Sequence, residues 1–296
     1  MKMKYLIAVI IVTILCYSCE TVTDATDLVS TQQFTIINSY IAPQNDTIRV
    51  QVSRSISRFD SQSKKFEDNV IRDAVVEMGT DANTMQVLSF FPKTSEYILD
   101  ATQLELVSGQ QYFLKVSTRD GQVFRSSCRI PAEPIEDLEF QIKKSDNDDF
   151  GDSFSGNIRF QDIPGINNFY LLHNVLADSD NPKFSFREKD SLLNTIPGFT
   201  DYLTDARLDG QRLSSSVDYN FFNNRNEDDM NDPLLITSVF NVEEIMFKQF
   251  RALEDNAFNE GDIFTEIQIP PNNIEGENVF GVFAGYQVYE ERYLLK

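Results

Sequence analysis

The chain has 296 residues, with 26 basic against 46 acidic side chains and a net charge of −20. Such an excess of carboxylates repels phosphate backbones, which excludes nucleic acid as a partner and disfavours broad contact with anionic membrane surfaces. Three cysteines, one histidine and no tryptophan leave little material for zinc sites, disulfide scaffolds or imidazole-based catalysis.

The first element is an export signal over residues 1–18. Lys2 and Lys4 form a positive start, Leu6 to Leu15 is apolar apart from Thr13, and polar residues follow at once. At about 1.5 Å per helical residue this run falls far short of a ~30 Å hydrocarbon core. The stretch Leu15-Cys16-Tyr17-Ser18-Cys19 resembles a bacterial lipobox, where a small residue precedes the cysteine that takes a diacylglyceryl thioether and becomes the mature first residue. Ser18 selects Cys19 as the lipidation site; Cys16 would place the bulky Leu15 just before the cut. Each buried methylene contributes about 0.8 kcal/mol, so two or three acyl chains hold a protein on a bilayer where one lets go. Cleavage removes only the two lysines among charged residues, so the mature form is more acidic still. Beyond the anchor only Cys128 remains, and no intramolecular disulfide can form.

Residues 19–30 are polar and without apolar periodicity, which suits a flexible tether. From Phe34 the pattern has period two. Ile48, Val50 and Val52 alternate with Arg49, Gln51 and Ser53; Tyr112, Leu114 and Val116 alternate with Gln111, Phe113 and Lys115. Both predict half-buried strands. Asp120-Gly121 predicts a tight turn, after which Phe124, Cys128 and Ile130 share one face and Arg125 and Arg129 the other. Cys128 is thereby read as a buried, inert thiol. Further strands are predicted at Phe34–Ile41, Ala74–Met78, Val87–Phe91 and Glu96–Leu99. Roughly seven short strands in about 100 residues predict an immunoglobulin- or fibronectin-like β-sandwich over 31–133.

Pro131-Ala132-Glu133-Pro134 interrupts the pattern, because proline donates nothing to a ladder and restricts its predecessor. A second β-rich domain is expected over 134–296. Its strands are Leu138 to Ile142, Ile158 to Phe160, Phe169 to Val175, Leu234 to Phe240, Ile263 to Ile269 and Val279 to Val288. One short helix is predicted, with Asn241 as N-cap, Glu243 and Glu244 in the first turn, and Ile245, Met246, Phe250 and Leu253 on its packing face. The fold class is therefore mostly β.

Candidate chemistry is sparse. Triad mechanisms would all run through His173, which sits in the apolar stretch Tyr170 to Val175 and reads as a strand histidine. Asp146 to Asp152 is calcium-loop-like at first sight, but Phe150 stands at the fifth ligand position and Asn157 replaces the final bidentate acid, so it reads as a solvated hairpin loop, as does Glu227 to Asp232. The expectation is a protein that is not an enzyme, with no catalytic residues, no cofactor and no metal.

The order of motifs carries a resemblance. A lipobox precedes a Thr-Ile-Arg-Val-Gln-Val-Ser-Arg-Ser strand (Thr47–Ser55), a Gly-Gln-Gln-Tyr-Phe-Leu-Lys-Val strand (Gly109–Val116) and a Cys-Arg-Ile-Pro exit (Cys128–Pro131). The glycine-punctuated tail from Asn273 to Gly285 follows, with Glu277 where many relatives carry a second glycine. Together these resemble the Bacteroidota lipoproteins grouped as domain of unknown function 4249. The resemblance implies a lipid-anchored outer-membrane accessory lipoprotein at the cell surface, of a family whose members are commonly encoded beside TonB-dependent transporters. Its implied partners are an outer-membrane β-barrel and, through Cys19, the lipid bilayer. The alternatives are direct capture of a nutrient, glycan or peptide, and a subunit role in a secretion or barrel-insertion machine.

Overall fold

The computed structural model describes residues 33–56, 66–81, 84–132, 135–145, 153–178, 201–220, 233–258 and 268–294. The described residues of the first half form seven strands: β1 (Thr35–Ile41), β2 (Thr47–Arg54), β3 (Val75–Asp81), β4 (Thr84–Phe91), β5 (Glu96–Asp100), β6 (Gln111–Ser117) and β7 (Val123–Arg129). They fall where the alternation predicts. On β6 every second residue is buried, and β7 follows with Phe124, Ser126 and Cys128 inward and Arg125 and Arg129 outward. The turn between them is closed by the Gly121 N–H on the Thr118 carbonyl, with Gly121 at φ 89°.

The pairing gives two sets of strands, β1-β2-β5 and β4-β3-β6-β7, joined where β4 meets β5 from Ser89–Ile98 to Phe91–Glu96. This is the strand order of a fibronectin-type sandwich, with the Greek-key exchange that such folds require. A tyrosine corner marks the same architecture. Tyr112, fully buried at the start of β6, donates its hydroxyl to the Glu105 carbonyl (2.8 Å) and accepts the Val107 N–H (2.6 Å). Ile37, Val50, Val76, Tyr97, Leu114 and Phe124 pack in the core between the two sets. Glu96, with no exposed side-chain surface, lies on the face of β5 opposite to Tyr97 and Leu99 and meets Arg49 of β2 at 3.2 Å.

The second half adds β8 (Glu136–Ser145), β9 (Ser153–Gln161), β10 (Phe169–Asp178), β11 (Asp201–Thr204), β12 (Arg212–Asn220), β13 (Pro233–Val242), helix α1 (Glu244–Phe258) and β14 (Val279–Leu294). A three-stranded sheet, β12-β9-β8, shares a core with β10 and β13 built from Ile158, Phe160, Tyr170, Leu172, Leu213 and Val239. The other face of β10, β13 and β14 takes α1 through Met246, Phe247 and Phe250, which pack on Leu171, Phe240, Val282 and Ala284.

β14 belongs to both halves. Its first seven residues pair in parallel with β1, from Thr35–Val279 to Ile41–Gly285. Its remainder pairs antiparallel with β13, from Val242–Tyr286 to Leu234–Leu294. Alternation sends Val279 and Phe283 into the sandwich core and Val282 and Ala284 toward α1. Just upstream, the backbone of Glu275 exchanges hydrogen bonds with that of Arg125 of β7, and Ile274 enters the same sandwich core. The connection at Pro131–Pro134 therefore separates the halves in sequence, while the hydrogen-bonded sheet runs from one to the other through β14.

Three local expectations change. Asn241 lies in β13, buried opposite Tyr170 and Gln287, because the ladder to β14 continues through Val242; it does not cap the helix. α1 begins after Glu243, whose carbonyl accepts the Met246 and Phe247 N–H groups. Leu253 is 45% exposed, and the aromatic anchor is Phe247, in tilted contact with Phe169 and edge-on contact with Tyr202. Of the strand expected at Ile263–Ile269, residues 263–267 lie outside the described residues, and Ile269 is exposed and not in a strand.

Candidate functional site

Two constellations stand out, both made of carboxylates. The first gathers Asp162, just after β9, with Asp205 and Asp209 from the turn between β11 and β12; one oxygen from each lies within 4.8 Å of the others. Asp162 and Asp205 are buried and Asp209 is exposed. Carboxylate oxygens are the ligands that hard divalent cations take, so these three residues could hold one. Their lone pairs, however, already serve the protein. Asp162 accepts the Tyr170 hydroxyl at 2.6 Å on one oxygen and the Gly210 N–H at 2.7 Å on the other. Asp209 accepts the Gly165 N–H at 2.7 Å, and Asn168 donates to the Ile163 carbonyl at 2.7 Å and more weakly to Asp205 at 3.5 Å. Burial and the bond to Asp162 both raise Tyr170 well above its ordinary range, so the phenol remains a donor. The geometry is that of a clamp holding the turn before β10 against the turn before β12.

Replacing Asp162 with alanine leaves the buried Tyr170 hydroxyl and the half-buried Gly210 N–H without this acceptor, at about 1–3 kcal/mol for the first and less for the second. Asp162→Ala is therefore expected to lower stability by about 2–4 kcal/mol in urea unfolding; an unchanged midpoint would show that the clamp does not stabilise the fold.

The second constellation is Glu243, at the entry to α1. One carboxylate oxygen accepts the Arg129 N–H of β7 at 2.9 Å and the other the Gly285 N–H of β14 at 2.7 Å. Its own N–H donates to the Gly285 carbonyl. One side chain thus ties the helix start to the point where β14 passes from β1 to β13. Gly285 permits this, since a Cβ there would stand 2.6 Å from the Arg129 carbonyl oxygen. Burial raises the Glu243 carboxyl above its ordinary 4.5, against the lowering effect of the two N–H donors and of Arg129.

A raised folded pKa means that the native state holds this proton more tightly than the unfolded chain does. The contribution is present below pH 4.5 and is lost as pH rises through the folded value. Glu243→Gln mimics the protonated form, so the wild type is expected to lose stability relative to that variant as pH rises above 4.5. Parallel denaturation curves at several pH values measure the difference, and a constant gap would contradict the assignment.

His173 sits in β10, 8% exposed and in register with Ser238 of β13. Cys128 is 3% exposed, and burial, with Glu243 nearby, pushes its thiol well up, so it stays protonated. Cys19 and the acidic stretches 146–152 and 227–232 lie outside the described residues. Sequence reasoning missed the Asp162 clamp; its one local signal was the turn dipeptide Asp209-Gly210. Among the described residues no helix is long and apolar enough to cross a membrane.

Comparison with known proteins adds a family. A model described as Domain of unknown function (DUF4249) matches residues 21–292. No curated protein matches. The crystal structure of chicken CNTN1 FN1-FN3 domains is similar at 12% identity and a TM-score of 0.25, with 69% of this chain and 62% of that chain covered. The match thus spans less than two thirds of that structure's length.

Proposed function

The chain belongs to the DUF4249 family, and on that premise we propose that it is a lipid-anchored accessory protein of the outer membrane. In this reading it docks on an outer-membrane β-barrel, a TonB-dependent transporter in the first instance, and assists its assembly or its handling of ligand. The observation that carries the reading is the stretch Leu15-Cys16-Tyr17-Ser18-Cys19 behind a short apolar export signal. A single acylated sulfur at Cys19 confines the protein to a membrane surface, where a permanently embedded partner is met by diffusion in two dimensions. The mostly β ectodomain supports an interaction role, since both carboxylate groups described above are engaged in holding backbone segments together.

The test is purification of the full chain from detergent-solubilised membranes. A β-barrel protein recovered in stoichiometric amount is the expected result. Recovery without any barrel, with a glycan or peptide retained by the soluble ectodomain, would replace docking by direct nutrient capture. A secretion or barrel-insertion machine in place of a transporter would keep the docking role and change the partner.

A further inference from the structure

We propose that the end of the sandwich at which the chain enters, marked by Phe34 and Phe280, lies against the lipid surface. This rests on the anchoring at Cys19 proposed above and adds an orientation to it. Within Val279–Gln287 of β14 every residue is buried but one, and that one is Phe280, 37% exposed. It shares a strand face with Val282 and Ala284, which α1 covers, and stands beyond that cover. Its ring meets Phe34 edge-on at 5.0 Å, so two aromatic rings form one apolar ridge. The same end carries Val75 at the start of β3 and Val123 at the start of β7, 50% and 39% exposed, aligned through Ser117 of β6. That these strand ends coincide follows from the Thr35 N–H on the Asn278 carbonyl and the bridge between Glu275 and Arg125.

Chain length names the occupant. Fourteen residues lie between Cys19 and Phe34, so the two can stand at most about 50 Å apart. The Phe34 end is thus the part of the sandwich that an acyl anchor brings to the bilayer, and its exposed apolar groups are of the kind that partition into the interface. The opposite end carries the β5–β6 connection, where Val107 is 47% exposed beside the tyrosine corner.

The absence of tryptophan makes a direct test possible. The lipidated full chain is reconstituted in zwitterionic phospholipid vesicles with brominated acyl chains, chosen because the acidic chain disfavours anionic headgroups. Single-tryptophan variants Phe280→Trp and Val123→Trp report the near end and Val107→Trp the far end; flotation reports anchoring. The expected result is about twofold or greater quenching of Phe280→Trp, a smaller loss for Val123→Trp and none for Val107→Trp. Should Phe280→Trp fail to fold, Val123→Trp against Val107→Trp decides. Protein that floats with neither near-end probe quenched, or with Val107→Trp quenched most, overturns the orientation and leaves the anchor standing. Protein that does not float overturns both.

Discussion

Gly281→Ala is expected to cost about 4 kcal/mol or more, enough to lower the melting temperature by about 10 °C or to prevent recovery of folded protein. Gly281 sits at φ 142° in β14, directly opposite Ile37 of β1 in the parallel pairing. A Cβ there would stand 1.8 Å from the Ile37 carbonyl oxygen and 2.6 Å from its carbon. Both are backbone atoms, so no rotamer change relieves the overlap, and the two strands must separate. Gly121→Ala supplies the control, since Gly121 also has positive φ but nothing within 4 Å of the added methyl. Its cost is about 1–2 kcal/mol, the conformational penalty alone. Thermal unfolding followed by circular dichroism measures both. Equal losses for the two variants would show that the approach of β14 to β1 is not what Gly281 secures.

A chain ended after Asn278 is expected to lose fixed packing in both halves. The deletion takes away the parallel partner of β1 across seven register positions and the antiparallel partner of β13 along its length. It removes Val279 and Phe283 from the sandwich core, and Val282, Ala284 and Tyr286 from beneath α1. Two aromatic side chains and several aliphatic ones at about 1.5–3 kcal/mol each approach the whole margin by which a domain is stable. The expected signature is loss of the near-ultraviolet tyrosine signal with part of the far-ultraviolet signal retained, and binding of a hydrophobic dye. Residues 31–133 alone lack the same strand and should behave likewise. Native-like cooperative unfolding of either fragment would show that β14 is an appendage rather than a shared part of the core.

The sandwich was legible because its signals are local. Ile48, Val50 and Val52, or Tyr112, Leu114 and Val116, announce a half-buried strand from five residues of sequence, and all six are buried. What alternation does not carry is pairing. Nothing near Val279 states that it meets Thr35, more than two hundred residues away, in parallel register, so the shared strand could only be read as the last strand of a second domain. The helix start shows the same competition. Asn241 has the chemistry of an N-cap, yet its backbone is claimed by β10 and β14, and the nonlocal ladder prevails. Glu243 reads in the sequence as a first-turn acid of the helix, whereas its carboxylate is turned to the Arg129 and Gly285 N–H groups, contacts set by tertiary approach. Asp162, Asp205 and Asp209 come together from connections more than forty residues apart, and each by itself resembles an ordinary surface acid in an acidic chain.

The proposed function depends on acylation of one sulfur atom, that of Cys19. Mass spectrometry of the amino-terminal peptide from membrane-purified protein examines it without intermediaries. The account predicts a peptide that begins at Cys19 and carries diacylglycerol on its sulfur. A mature protein beginning elsewhere, or beginning at Cys19 with a free thiol, would contradict it.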